Sequence, residues 1–306
     1  MSASSNLRGA LFMSVAMAGF TINDAMTKLV GSSMNIGQMM LIRGVMATLL
    51  IGLLAWRWGA LARPRLIWHP MIALRVLGEA GATVCFLAAL VQIPIANIAA
   101  VLQVLPLTVT MGAALFLAEP VGWRRWSAIL VGFVGILIII RPGFEGFNAY
   151  ALYGLAAVAF ATMRDLATRL IPDNVPTPLI STVTAATVTL AGAALVVPYG
   201  GWSPVDATSF ALLVAASVCI VVGYHFIILS LRLGQLSFIA PFRYTSLLWS
   251  LALGFLLFAD RPDLPMIVGA TMVVCSGLYT LYRERIGGKI TPAAKSTGPS
   301  MAPEGT

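Results

Sequence analysis

Long apolar runs follow one another along the chain, separated by short breaks of polar residues, Pro and Gly. Most runs approach the roughly 20 residues that a helix needs to cross a bilayer. Ten such spans are predicted, at 9–30, 37–56, 70–91, 94–117, 126–140, 148–170, 178–197, 208–231, 236–258 and 264–282. The fourth and fifth are the least separated, with the break supplied by Glu119-Pro120 through Arg124-Arg125. The predicted fold is all-α, a polytopic membrane protein.

A small polar pattern occurs twice. Asp24-Ala25-Met26-Thr27-Lys28 returns as Asp165-Leu166-Ala167-Thr168-Arg169, an offset of 141 residues. The same offset carries Ala99 onto Ala240, and Leu117-Ala118-Glu119 onto Phe258-Ala259-Asp260. A constant offset across separated anchors reads as one unit written twice. Each unit holds five spans, and consecutive odd-numbered units cross a membrane in opposite directions. The chain is therefore expected to form a 5+5 inverted repeat, with units at 9–141 and 148–285, as secondary transporters do. The stretch 286–306, rich in Pro, Gly, Ser, Thr and Ala, is expected to be a disordered cytoplasmic tail.

Composition agrees with lipid as solvent. The chain is 59% hydrophobic and 10% charged, against about 25% charged in a soluble domain, and its mean hydropathy is +0.92. A net charge of +8 does not imply nucleic acid, because the basic residues fall mainly in short loops. With the N-terminus inside, the cytoplasmic segments hold Arg8, Arg57, Arg63, Arg65, Arg124, Arg125, Arg169, Arg232, Arg283, Arg285, Lys289 and Lys295. The outer side holds Lys28, Arg141 and Arg261. That bias predicts both termini in the cytoplasm. Ala16-Met17-Ala18 has the small residues of a cleavage site, but apolar sequence continues past it, so the first helix is expected to stay uncleaved. Cys85, Cys219 and Cys275 lie inside spans and are expected to be buried thiols.

Ionisable residues inside spans are costly and are functional candidates for that reason. Asp24 and Lys28, and again Asp165 and Arg169, sit one turn apart. They fit either intrahelical ion pairs that ease burial or a pair of gates, one at each mouth. Arg75 and Glu79 repeat the spacing, and Glu79 is the candidate for binding substrate or a proton. Arg43, Arg164 and Arg243 need partners from other helices or from a ligand. Gln103, Pro106, Thr108 and Thr110 interrupt the fourth span. Pro241, Arg243, Tyr244, Thr245, Ser246 and Trp249 interrupt the ninth. Proline frees backbone carbonyls there, and Arg243, Tyr244 and Trp249 offer charge, a hydroxyl and a stacking face. The predicted substrate-binding or gating set is Asp24, Arg43, Glu79, Gln103, Asp165, Arg243, Tyr244 and Trp249. No Walker loop, metal spacing, nucleophile elbow or dinucleotide fingerprint is present in the sequence, so no enzyme, cofactor or metal is expected.

These residues resemble the drug/metabolite transporter superfamily, in its ten-helix EamA-type branch, over about residues 9–285. Arg43-Gly44-Val45-Met46-Ala47, Leu115-Phe116-Leu117-Ala118-Glu119-Pro120 and Gly132-Phe133-Val134-Gly135 through Arg141-Pro142-Gly143 carry the likeness. Asp260 stands where the second half would usually have Glu. Asn23-Asp24…Lys28 and Gly37-Gln38…Arg43-Gly44 look most like a bacterial subgroup that includes riboflavin transporters. The resemblance implies a central cavity and transport across the bacterial inner membrane without ATP hydrolysis, with riboflavin uptake as the expected activity. Export of amino acids or other amphipathic metabolites is the alternative within transport; a membrane enzyme or scaffold is the alternative of another class. The expected partners are a small-molecule substrate and membrane lipid, with no nucleic acid; the oligomeric state stays open.

Overall fold

The computed structural model describes residues 3–62, 64–142, 148–172, 174–233 and 236–286. The tail from 287 onward, with Lys289 and Lys295, and Arg63 lie outside the described residues, so the expectations placed on them do too. All regular structure among the described residues is helical. In chain order the helices are α1 (Ala3–Val30), α2 (Ile36–Arg57), α3 (Pro70–Leu90), α4 (Ile95–Leu102), α5 (Leu105–Phe116), α6 (Trp123–Ile140), α7 (Tyr150–Arg169), α8 (Thr177–Val196), α9 (Ala207–Leu233), α10 (Leu236–Ile239), α11 (Thr245–Phe258) and α12 (Leu264–Ile286).

The starts of these helices follow from local chemistry. Asn35 caps α2 by accepting from the Gln38 amide at 2.8 Å. Asp206 and Asp263 accept from the amides of Ser209 and Met266, both at 3.0 Å, at the starts of α9 and α12. Each cap satisfies an amide that the first turn leaves without an intrahelical partner. Proline stands in the first turn of α3, α5 and α8, where its missing N–H costs nothing.

Among the described residues nine stretches are long and apolar enough to span a bilayer. α7 is the tenth crossing expected from the sequence, and it falls short because Arg164, Asp165 and Arg169 crowd its final turns. It nevertheless packs along α3 like the others. Two predicted spans are broken. The fourth divides into α4 and α5 at Gln103-Val104, and the ninth into α10, a 3-10 turn over Ala240–Tyr244, and α11. Span five begins three residues earlier than expected, so Trp123, Arg124 and Arg125 form its first turn.

The principal packing pairs are α1 with α9, α2 with α8, α3 with α7 and α6 with α12, and α4 lies against α11. Counting crossings, this pattern maps onto itself when each is exchanged for the one five places away. Finer features obey the 141-residue offset. Thr21 and Thr162, and Thr27 and Thr168, each bond the carbonyl four residues back. Ala118 and Ala259 both take left-handed backbone, with φ of 52° and 54°. The amides of Glu119 and Asp260 then reach back to the carbonyls of Ala113 and Gly254. Thr48 and Thr189, one offset apart, hydrogen-bond each other at 3.0 Å.

Small residues let the backbones meet, as lipid-solvated bundles require. A side chain on Gly78 would put its first carbon 2.9 Å from the Arg164 amide nitrogen and the Phe160 carbonyl, both backbone atoms of α7. On Gly52 the nearest atom would be a Thr182 methyl at 3.7 Å. Gly78→Leu should therefore cost about 1–3 kcal/mol or more and lower the thermal midpoint of the purified protein, whereas Gly52→Ala should leave it nearly unchanged.

Asp263 joins two functions outside the spans: it caps α12 and forms an ion pair with Arg141 at the end of α6. Partial desolvation pushes its carboxyl up, but the Arg141 hydrogen bond and the Met266 amide outweigh this and hold it below the usual carboxylate range. A depressed folded value gives stability that is present above the ordinary carboxylate value and lost as pH falls through the folded one. Asp263→Ala should cost about 1 kcal/mol at neutral pH, as a lost N-cap does. The difference from wild type should begin to shrink as pH falls through the ordinary carboxylate value of about 4 and be lost only below the lower folded value, which melting at several pH values would read.

Candidate functional site

Two cavities meet inside the bundle, and Asp24 and Phe86 line both. The larger, about 520 Å³, lies among α1, α2, α3, α8 and α9. Its walls are mainly apolar, and Asp24, Arg43 and Glu79 bring charge to them. The volume lies in the range of about 300–1,000 Å³ typical of small-molecule sites. The smaller, about 80 Å³, lies where the two broken crossings face each other, and Gln103, Arg243, Tyr244 and Ser246 line it. Gln103 donates to the Ser246 hydroxyl at 2.7 Å across that gap. Breaks in paired helices place irregular backbone beside a cavity, the one place where a membrane interior tolerates it.

Arg43 is held from α1. It donates to the Asn23 side-chain oxygen at 2.8 Å and to the Thr27 hydroxyl at 3.0 Å, and both partners are fully buried. The Asn23 amide in turn donates to Asp24 at 2.9 Å. Asp24 thus receives a hydrogen bond from a neutral side chain that is itself bonded to a cation.

Arg164 is a fully enclosed cation. At 0% exposure it bridges α7 and α3, donating to Glu79 at 3.0 Å and to its neighbour Asp165 at 2.8 Å. Arg75, equally buried, donates to the Thr168 hydroxyl. Two carboxylates offset the burial of Arg164, whereas Arg75 bonds through one nitrogen, and its Nε and Nη2 have no hydrogen-bond partner among the described residues.

Charge also stands at the two helix ends that carry the left-handed alanines. At one, Arg169 forms a 2.9 Å ion pair with Glu119. At the equivalent other end, Lys28 donates to the carbonyls of Leu90 and Ile93. Its ammonium lies 5.4 Å from the Phe258 ring centre and within the field of Asp260, whose Oδ2 has no hydrogen-bond partner among the described residues. The same four positions therefore hold a direct pair at one end and an unmade one at the other.

Comparison with known proteins fits this architecture. Residues 7–141 match the EamA-like transporter family. The pseudopaline exporter CntI of Pseudomonas aeruginosa strain UCBPP-PA14 is 27% identical, over 87% of this chain and 93% of its own. An S-adenosylmethionine uptake transporter of Rickettsia prowazekii strain Madrid E is 23% identical over 91% and 94%. A riboflavin transporter of Vibrio cholerae is 29% identical over 68% and 69%. A solved crystal structure, 20% identical and with a TM-score of 0.55, covers 92% of this chain and 99% of that one, and shows a shared fold. The chain is a multi-pass membrane protein whose first half is similar to EamA-like transporters.

The structure gathers some of the sequence-predicted residues around the two cavities and leaves others aside. Asp24, Arg43 and Glu79 line the larger cavity, and Asp24, Gln103, Arg243 and Tyr244 the smaller. Asp165 lines neither and is bonded to Arg164. Trp249 lines neither; it is 42% exposed and donates to the Ser14 carbonyl at 3.2 Å. The expected intrahelical pairs are corrected. Lys28 and Arg169 turn away from the acids one turn back and reach other helices, because backbone carbonyls and Glu119 lie nearer the helix ends where long basic side chains extend. Glu79, read with Arg75, is bonded to Arg164. Cys275 is exposed rather than buried. Asn23, Thr27, Ser246, Glu119 and Asp260 were missed as site residues, and Lys28 and Arg169, read as gate residues, were placed with other acids. These two bases, with Glu119 and Asp260, had a signal, since the 141-residue offset already pairs them.

Removing Arg164 would leave Glu79 and Asp165 without their shared cation. Arg164→Met should therefore cost about 3–5 kcal/mol, the range for a broken buried pair. Glu79→Gln should cost less, because Asp165 still holds the guanidinium. Thermal unfolding in detergent would rank the two, and equal losses would refute this reading of the cluster.

Proposed function

We propose that the protein is a secondary carrier that moves a small amphipathic metabolite across the bacterial inner membrane by alternating access, with riboflavin uptake as its activity. The carrying observation is the pair of cavities joined at Asp24, between helices related by a 141-residue offset. The two five-helix units are residues 9–141 and 148–285, inverted with respect to each other, and both termini are cytoplasmic. Lys28 with Asp260, and Arg169 with Glu119, then stand at opposite mouths as reciprocal latches: one is made while the other is open. A half-exposed ion pair contributes only about 0–1 kcal/mol, which suits a contact that must break in every cycle.

A flat ring system fits the aromatic and polar groups at the junction. Phe20, Phe86 and Tyr244 offer faces, and Gln103 and Arg243 offer donors to ring carbonyls. The riboflavin transporter among the relatives supports this substrate. A second reading has its own observation. The larger cavity carries both signs of charge, on Asp24, Glu79 and Arg43, which also suits a zwitterionic metabolite derived from an amino acid, moved outward.

The test is uptake by reconstituted vesicles and growth of a riboflavin auxotroph lacking its own importer. Labelled riboflavin should accumulate and growth should be rescued. Glu119→Gln, which breaks the made latch, should shift accessibility of a single cysteine near position 169 toward the open state and lower transport several-fold. Absence of both uptake and rescue, with protein in the membrane, removes riboflavin and leaves the zwitterion to be tested. Unchanged accessibility removes the latch.

A further inference from the structure

Two aromatic walls of the smaller cavity, Tyr244 and Phe20, rest on glycines that do not line it. The hydroxyl end of Tyr244 lies against Gly277, a buried position of α12. A side chain on Gly277 would overlap the Tyr244 hydroxyl and put its first carbon 2.7 Å from the ring carbon that carries it. Its three nearest neighbours would all be atoms of Tyr244. On Gly223 of α9, a first carbon would lie 3.0 Å from the Cε1 and Cζ of Phe20. Phe20 also meets Tyr224 edge-on, with ring centres 5.2 Å apart.

These two glycines differ from those that let backbones touch. At Gly78 the atoms in the way are mainly backbone atoms of α7, whereas at Gly277 they belong to a side chain of the cavity wall. Ala240, Val274, Leu278 and Leu281 pack around Tyr244 on its other sides. A close-packed interior yields only where space remains, and the space beside Tyr244 is the smaller cavity, about 80 Å³. A methyl group at position 277 would drive the phenol into it. The internal repeat gives this device to one unit alone. Gln103 and Ile136 stand one offset before Tyr244 and Gly277; Gln103 reaches across to Ser246 and Ile136 is buried in the core.

We propose that Gly277 is a positioning residue for the substrate site: by seating the Tyr244 phenol against α12 it holds the smaller cavity open and sets the largest flat ring system that the site admits. The inference rests on the carrier reading above and adds what fixes the size of its substrate. Gly223 does the same for Phe20 more weakly, because a ring tip at 3.0 Å needs only a slight shift.

Two measurements on the full chain test the proposal. The first needs no substrate. In a background without Cys85, Cys219 and Cys275, a single cysteine is placed in the smaller cavity by Ala99→Cys or in the larger by Ser181→Cys. Each is labelled with a methyl and with a benzyl methanethiosulfonate, and the benzyl rate is divided by the methyl rate. Gly277→Ala should lower this ratio several-fold at position 99 and leave it unchanged at 181, and Gly223→Ala should lower it less. An unchanged ratio at 99, an equal fall at both positions, or a position 99 that neither reagent reaches in the parent overturns the proposal. In the second, labelled riboflavin is the probe in liposomes. Gly277→Ala should raise KM several-fold and nearly keep the maximal rate, as lost binding does; a lower maximal rate at unchanged KM overturns it. If wild type transports no riboflavin, the substrate reading fails by itself and the labelling ratio decides the role of Gly277. If Gly277→Ala does not fold, a Tyr244→Ala background decides it. With the ring gone, adding Gly277→Ala should restore folding and leave the ratio of Tyr244→Ala unchanged, and a further fall or a second failure to fold overturns the proposal.

Discussion

A charge inside a lipid-solvated bundle must bring its counter-charge with it, and Arg164 is where this constraint bears hardest. The guanidinium is fully enclosed, and Glu79 and Asp165 hold it from α3 and from its own helix. The ion cluster fixes α3 against α7 at the place where Gly78 lets the two backbones touch. It also admits α7 to the bundle at all. Three charged residues in its last turns make it the one crossing that composition alone would reject, and pairing is what offsets the cost. With α7 seated, the larger cavity acquires the Glu79 wall and the second half of the chain packs around the first.

The same constraint gives the repeat its meaning. Equivalent threonines bond equivalent carbonyls, equivalent alanines take the left-handed conformation, and Thr48 meets its own equivalent Thr189. An L-residue in that backbone region costs about 1–2 kcal/mol, so its appearance at two related helix ends reflects a geometry that both ends need. In each case it turns the following acid's amide back onto the helix and leaves the side chain free to meet a base from another crossing. Against such agreement one difference stands out: where the second half has Arg164, bonded to two carboxylates, the first has Asn23, which gives Asp24 a neutral hydrogen bond.

Much of this was legible in the sequence, and the parts that were not have a common cause. Span positions, the offset and the breaks at Gln103 and Tyr244 follow from hydropathy and spacing, which are one-dimensional. Partner choice is not. A spacing of four places Asp24 beside Lys28 and Asp165 beside Arg169 on a helical face, but it cannot show that Ile93, Leu90 and Glu119 offer better acceptors from other crossings. Trp249 reads as a stacking face because it lies in an interrupted span, yet the interruption rotates it toward the outside. For Arg43 the sequence leaves open a partner from another helix or from a ligand, because its acceptors, Asn23 and Thr27, belong to a different helix.

Magnitudes separate what can move in such a molecule from what cannot. Reversing a two-state equilibrium from 1:99 to 99:1 takes about 5.5 kcal/mol of differential binding. An interaction near that size, fixed in both states, is scaffold, and the Arg164 cluster, at about 3–5 kcal/mol for loss of its cation, belongs there. The Arg169–Glu119 pair, with its side chains 27% and 33% exposed, is an order of magnitude weaker. A carrier built on these parts can exchange the weak contact at one mouth for its counterpart at Lys28 and Asp260 with little net change in energy. The strong cluster keeps α3 and α7 moving as one body. On the carrier reading, the bias for such an exchange would have to come from a substrate held in the cavities, since neither helix-end contact is strong enough to supply it.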